Sequence, residues 1–272
     1  VETPAPALSD VLHRNNVTVS GVSGARPIVF AHGFGCSQVM WRHVAPAFES
    51  DHLVVLFDSV GSGESDLSAY RPGKYDSLEG YAADLLEILE ALDLRNAVIV
   101  GHSVSAMVAV LAANRDSSRI GRLVLLGPSP RYIDTPDYRG GFSREDIHGL
   151  LDALDANYFG WSKTMAPVIM GNPDRAELGE ELTESFCATD PAIARHFAHV
   201  TFLSDTRRDL AGVSVPTLVI QTENDVIAPL EVGRFVHESI PRSVFRIIPV
   251  SGHMPHLSGP AEVIAAIREF VG

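Results

Sequence analysis

The segment Ala97-Val98-Ile99-Val100-Gly101-His102-Ser103-Val104-Ser105-Ala106 constrains this chain more than any other. An apolar, β-branched run reads as a buried strand. A turn of small residues follows, and an Ala-rich helix over residues 104–114 starts at once. A strand that feeds a helix through so tight a turn holds the central serine in a strained backbone conformation and lifts its hydroxyl above the strand end. It also sets the positive N-terminus of the helix beneath any oxyanion that develops there. The usual pattern, G-x-S-x-G, ends here in Ser105 instead of glycine. Serine is small and Ala106 follows it, so the steric demand is nearly met. Ser103 is the candidate nucleophile.

The surrounding pattern supports an α/β chain with a mostly parallel, doubly wound sheet. Ile28-Val29-Phe30-Ala31, Leu53-Val54-Val55-Leu56-Phe57 and Leu123-Val124-Leu125-Leu126 are continuous apolar runs, as expected of strands covered on both faces. Helical patterns alternate with them, and residues 81–92 place Leu85, Leu86, Ile88 and Leu89 on one side. From 131 to about 203 there is no convincing strand, only helical stretches broken by Gly and Pro. Ser143 and Asp146 read as an N-cap pair, and Asn172-Pro173-Asp174 and Thr189-Asp190-Pro191 read as helix boundaries. Strands return at Pro216-Thr217-Leu218-Val219-Ile220 and Val244-Phe245-Arg246-Ile247-Ile248, and a last helix covers about 260–270. The expected division is a core of residues 1–130 and 204–272 with a helical cap, or lid, at 131–203.

Two further sites complete a hydrolytic constellation. His32-Gly33-Phe34-Gly35 follows the early strand. A turn of this kind supplies an oxyanion donor, so the backbone N–H groups of Phe34 and Val104 are the candidate pair, with Phe34 also forming pocket floor. Serine, then acid, then histidine is the order expected after such an elbow. Asp225 follows the strand ending at Ile220 through Gln221-Thr222-Glu223-Asn224, with Glu223 as its rival. His253 lies in Ser251-Gly252-His253-Met254-Pro255-His256, with His256 as its rival; Gly252 gives the loop freedom to set the ring over Ser103. His102 is expected to serve as a structural hydrogen-bonding residue, and His256 to pack under the loop or cap the final helix. The Gly-rich stretch at residues 58–65 lacks the third glycine of a dinucleotide loop, since position 66 is Asp66. It reads as a turn beside the active-site face. No cofactor is expected, and no metal, because two histidines three apart lack further ligands nearby.

Composition narrows the partners. With 272 residues the chain suits one large domain, or one carrying an insertion. A formal net charge of −13 argues against nucleic acid and anionic membranes. No apolar run approaches the ~20 residues of a membrane span. Two cysteines far apart, Cys36 and Cys187, fit a reducing, cytoplasmic setting. Residues 1–7, rich in Pro and Ala, show no signal-peptide pattern and suggest a frayed leader.

Taken together, these motifs, with Gly127-Pro128-Ser129-Pro130-Arg131-Tyr132 and Gly140-Gly141-Phe142, resemble the RsbQ-like α/β-hydrolases. That group includes a bacterial stress-response regulator and the plant karrikin and strigolactone receptors. The likeness runs from about Leu12 to Phe270. It implies the α/β-hydrolase fold with an inserted cap of four helices over an apolar pocket. Carried over position by position, it implies pocket walls from Phe34, Tyr132, Phe142, Trp161 and Phe202, where aromatic rings would bind a small apolar ligand. It further implies a small ester, lactone or butenolide-like ligand, and a protein partner of phosphatase or signalling type. Three functions remain open: a serine esterase or lactonase, a ligand sensor acting mainly through a protein partner, and a C–C bond hydrolase using the same residues.

Overall fold

The computed structural model describes residues 8–272; the leader expected at residues 1–7 lies outside the described residues. In chain order the elements are α1 (Leu8–Arg14), β1 (Thr18–Gly21), β2 (Pro27–Ala31), β3 (Leu53–Leu56), α2 (Leu78–Ala91), β4 (Ala97–His102), α3 (Val104–Arg115) and β5 (Ile120–Leu126). Four helices follow: α4 (Arg144–Ala156), α5 (Tyr158–Met170), α6 (Ala176–Ala188) and α7 (Pro191–Phe202). The chain then returns to β6 (Thr217–Asn224), α8 (Leu230–Ser239), β7 (Ser243–Ser251), the short α9 (Pro255–Ser258) and α10 (Pro260–Val271).

The strands form one sheet in the order β1-β3-β2-β4-β5-β6-β7, parallel except for β1 against β3. Its continuous apolar strands split by the period of two. Val29, Ala31, Ala97, Ile99, Leu123 and Leu125 join one core cluster with α2 and α3. Ile28, Phe30, Val98, Val100, Val124 and Leu126 join the opposite one with Trp41, Phe48 and α10. Both faces are therefore dry, which is what a doubly wound sheet requires. Crossovers of this kind put every parallel strand's C-terminal end on the same edge. Ser103, the turn after β2 and the loops after β6 and β7 all lie at that edge.

Two features differ from the sequence expectation. β1 is an added edge strand; its exposed residues give no apolar run to read. β6 and β7 are longer than their apolar centres, since pairing continues to Asn224 and Ser251 with a bulge between Thr222 and Asn224. Gln221 to Asn224 are thus strand rather than loop, and Asp225 stands directly at the strand end.

Between β5 and β6 the described residues hold helices and two isolated bridges. Side-chain caps start α4, α5 and α7. Ser143 and Asp146 make a reciprocal capping box on α4. Asp190 accepts from the N–H groups of Ala192 and Ile193 at the start of α7, where Pro191 occupies the first position. Side chains of α5, α6 and α7 lie against Ser103, and the buried faces of all four helices form a third cluster with Tyr132, Ile227 and Met254. Among the described residues no helix is long and apolar enough to cross a membrane.

Candidate active site

Ser103 has φ 55° and ψ −123°, a region that non-glycine residues occupy only under constraint. The constraint is visible: its N–H is fixed to the Leu126 carbonyl at 2.9 Å while α3 begins at the next residue. The Ser103 hydroxyl donates to His253 Nε2 at 2.8 Å, and His253 Nδ1–H donates to Asp225 Oδ2 at 2.7 Å. Asp225 Oδ1 accepts from the N–H groups of Ile227 at 2.8 Å and Ala228 at 3.0 Å. The carboxylate is therefore locked by the turn that follows β6, and its orientation sets the imidazole tautomer. Glu223, the rival acid, is exposed and takes no part in this line.

The loop that carries His253 is fixed by the cap. Gly252 has φ +90°, and a Cβ there would stand 1.7 Å from the Met170 carbonyl oxygen, so only glycine fits. The His253 N–H donates to the Ile169 carbonyl at 3.0 Å. The end of α5 thus supports the residue it covers.

The turn after β2 faces the elbow. Among the described residues, neither the Phe34 nor the Val104 N–H makes a hydrogen bond. Two side chains hold this turn. His32 Nε2 accepts from the Ser59 N–H at 3.1 Å, which leaves Nδ1–H to donate to the Gly33 carbonyl at 2.9 Å. The Ser105 hydroxyl donates to the His32 carbonyl. The serine that departs from G-x-S-x-G therefore ties the elbow to the opposite turn. Gly33 is packed so closely that a Cβ would stand 2.6 Å from His102 Nδ1. The stretch at 58–65 proves to be a support for this turn, built round the buried Asp58, which accepts from the Gln38 N–H at 2.7 Å and from Asn16 Nδ2 at 2.8 Å.

Three further histidines back the site, all buried. His102 Nε2–H donates to the His253 carbonyl at 2.7 Å. His256 stacks on Trp41 with ring centroids 4.6 Å apart, and neither of its ring nitrogens has a partner. Of its two expected roles it takes the packing one. Burial lowers the pKa of His32 and of His102 below the ordinary histidine value, and with the neighbouring His253 it takes His256 down to about 3. Neutral neighbours suit a base that must itself become cationic. They also carry a stability consequence. A histidine with a depressed folded pKa is neutral in the native state and protonates first in the unfolded chain. Its contribution is full above about pH 6.5 and is lost as pH falls below that value, by ~1.4 kcal/mol per pH unit for each such group. His256→Phe keeps the stack on Trp41 and removes one titrating group. Urea unfolding should then lose about 2 kcal/mol less stability between pH 7.5 and pH 5 than the native chain does; an unchanged pH slope would contradict this.

A cavity of about 30 Å³ lies against Ser103. Of the sequence-predicted walls, Phe34, Tyr132, Trp161 and Phe202 line it. Phe34 is the hub, with ring centroids 6.3 Å from Trp161, 5.8 Å from Phe186 and 6.0 Å from Phe202. Phe142 does not line it. Its N–H donates to the Tyr132 carbonyl at 3.2 Å, and its half-buried ring packs on the flank of the cap cluster. The backbone bond draws it alongside Tyr132 instead of into the cavity. Sequence reasoning missed Ile169, Phe186 and Thr201, which the packing of α5, α6 and α7 brings to the cavity, and Ile227 and Met254, which the loops after β6 and β7 carry there. Burial pushes the Tyr132 phenol up to about 12, so it stays protonated. Among the described residues no group of three His, Cys, Asp or Glu side chains is placed to hold a metal ion.

Comparisons with known proteins identify the family and the fold. The model of the Alpha/beta hydrolase family matches residues 28–266. A probable esterase of Oryza sativa subsp. japonica is 37% identical, covering 94% of this chain and 95% of the relative. "Strigolactone esterase D14" of Arabidopsis thaliana is 35% identical over 95% of this chain and 97% of that one. Among solved structures, a hydrolase from Oleispira antarctica superimposes with a TM-score of 0.95 at 42% identity, covering 99% of both chains. The chain belongs to the alpha/beta hydrolase family, as a serine hydrolase grouped with the plant karrikin and strigolactone receptor hydrolases.

Proposed function

We propose that the protein cleaves a small, mainly apolar ester or lactone through an acyl-enzyme on Ser103. One observation carries the reading: the hydrogen-bonded line from Asp225 through His253 to Ser103 ends in an aromatic cavity beside two unpaired backbone N–H groups. His253 takes the Ser103 proton as the hydroxyl oxygen attacks the carbonyl carbon. Asp225 holds the ring and stabilises the imidazolium. The N–H groups of Phe34 and Val104 receive the oxyanion. The imidazolium returns its proton to the leaving alkoxide, and His253 then activates water to release the acid.

Residues 131–203 act as the lid in this reading. A cavity of about 30 Å³ holds little more than a water molecule, so a substrate enters by displacing cap side chains. The tight, mostly aromatic lining favours a small acyl group. Turnover of p-nitrophenyl esters should be greatest for the shortest acyl chains and fall as the chain lengthens. A rate that rises with chain length would contradict the small-substrate reading.

A second reading, ligand sensing with a protein partner, is favoured by the similarity to "Karrikin insensitive 2 receptor IA" of Petunia hybrida, 36% identical over 92% of this chain. In that case turnover is slow, still depends on Ser103, and the cap moves on ligand binding. The two unpaired cysteines fit a cytoplasmic setting for either role.

A further inference from the structure

Thr201 on α7 is fully buried and lines the Ser103 cavity, yet its Oγ1 has no hydrogen-bond partner. An acceptor lies within the same helix. A helical threonine can turn its hydroxyl back onto the carbonyl four residues earlier. Three other hydroxyls of the cap helices do so: Ser162 onto Tyr158 at 2.8 Å, Thr164 onto Gly160 at 3.1 Å, and Thr183 onto Gly179 at 2.8 Å. Thr201 leaves the Phe197 carbonyl to the backbone. A buried hydroxyl without a partner is unfavourable, and native structures seldom keep one that nothing satisfies. The cavity's other walls are mostly apolar, and its polar members, Ser103, His102, Tyr132, Trp161 and His253, make no hydrogen bond to Thr201 Oγ1.

We propose that Thr201 Oγ1 is a polar recognition point of the substrate pocket, and that the preferred substrate carries a second oxygen function beyond its scissile carbonyl. An ether or keto oxygen would accept from the hydroxyl, and a substrate hydroxyl would donate to it. The substrate class is thus an oxygen-bearing short ester or lactone rather than a plain alkyl ester. The assignment rests on the Ser103 cavity being the substrate site.

Binding separates this claim from the chemistry. In the Ser103→Ala protein, methyl pentanoate is titrated against methyl ethoxyacetate and methyl methoxypropanoate, which replace one methylene of the same chain by oxygen. Tryptophan fluorescence reports binding, since Trp161 lines the cavity. Adding Thr201→Val, equal in shape but without the hydroxyl, should weaken at least one ether ester by about threefold to tenfold relative to the alkyl ester. Thr201→Ser should keep the preference. A common shift for all three esters, as expected of a hydroxyl that only holds a trapped water, overturns the proposal, and so does the binding of none of them. Failure of the native protein to hydrolyse any ester would count against Ser103 as nucleophile and leave the binding ratio intact as the test of Thr201.

Discussion

Ser103→Ala is expected to lower ester turnover by about 10⁴-fold or more while the protein stays folded. The size follows from what is lost. The alanine removes the attacking oxygen, and no other activated nucleophile lines the cavity to replace it. His102 is engaged through Nε2 with the His253 carbonyl, the Tyr132 phenol is held protonated by burial, and the Thr201 hydroxyl has no base beside it. The unpaired N–H groups of Phe34 and Val104 remain, so a residual rate over water should persist. The fold should survive because the side chain gives one hydrogen bond, to His253, and the elbow is held by the Ser103 N–H and the Ser105 hydroxyl. Comparison of native and variant rates on p-nitrophenyl acetate reads the effect. Equal rates would remove Ser103 from the mechanism.

Asp225→Asn should cost about 10³- to 10⁴-fold in kcat with little change in KM. The loss comes from a wrong imidazole tautomer. Asp225 Oδ1 accepts two backbone N–H groups, from Ile227 and Ala228. In the variant those donors retain the amide oxygen, and the NH₂ group is turned towards His253 Nδ1. That nitrogen must then accept, its proton moves to Nε2, and Nε2 can no longer take the proton of Ser103. Substrate contacts are untouched, because Asp225 is not among the cavity walls. A loss below about tenfold would mean that another group orients the ring.

The parts of the site readable in the sequence are those dictated by local chemistry. The elbow at Ser103, the turn at His32-Gly33-Phe34-Gly35 and the Gly252-His253 loop each need particular small residues at particular steps, and such needs leave a trace in the string. The sheet was legible for the same reason, since dry strands on both faces must be continuously apolar. β1 left no trace because an exposed edge strand has no face to bury. The extension of β6 through Glu223 and Asn224 was hidden because both are exposed at the strand end. Phe142 was misplaced, and Thr201 and Phe186 were passed over, for a different reason. A cap wall depends on how four helices settle on the core, and an aromatic or a threonine on such a helix looks the same whether it faces a ligand or a neighbour.

The most direct measurement is the intact mass of the protein during its first turnover of p-nitrophenyl acetate, with rapid acid quench and peptide mapping. The account predicts a burst of roughly one p-nitrophenol per chain, matched by one acetyl group on Ser103 that forms and then decays, and neither in Ser103→Ala. Steady turnover with no adduct, or an acetyl group mapped to any other residue, would contradict it.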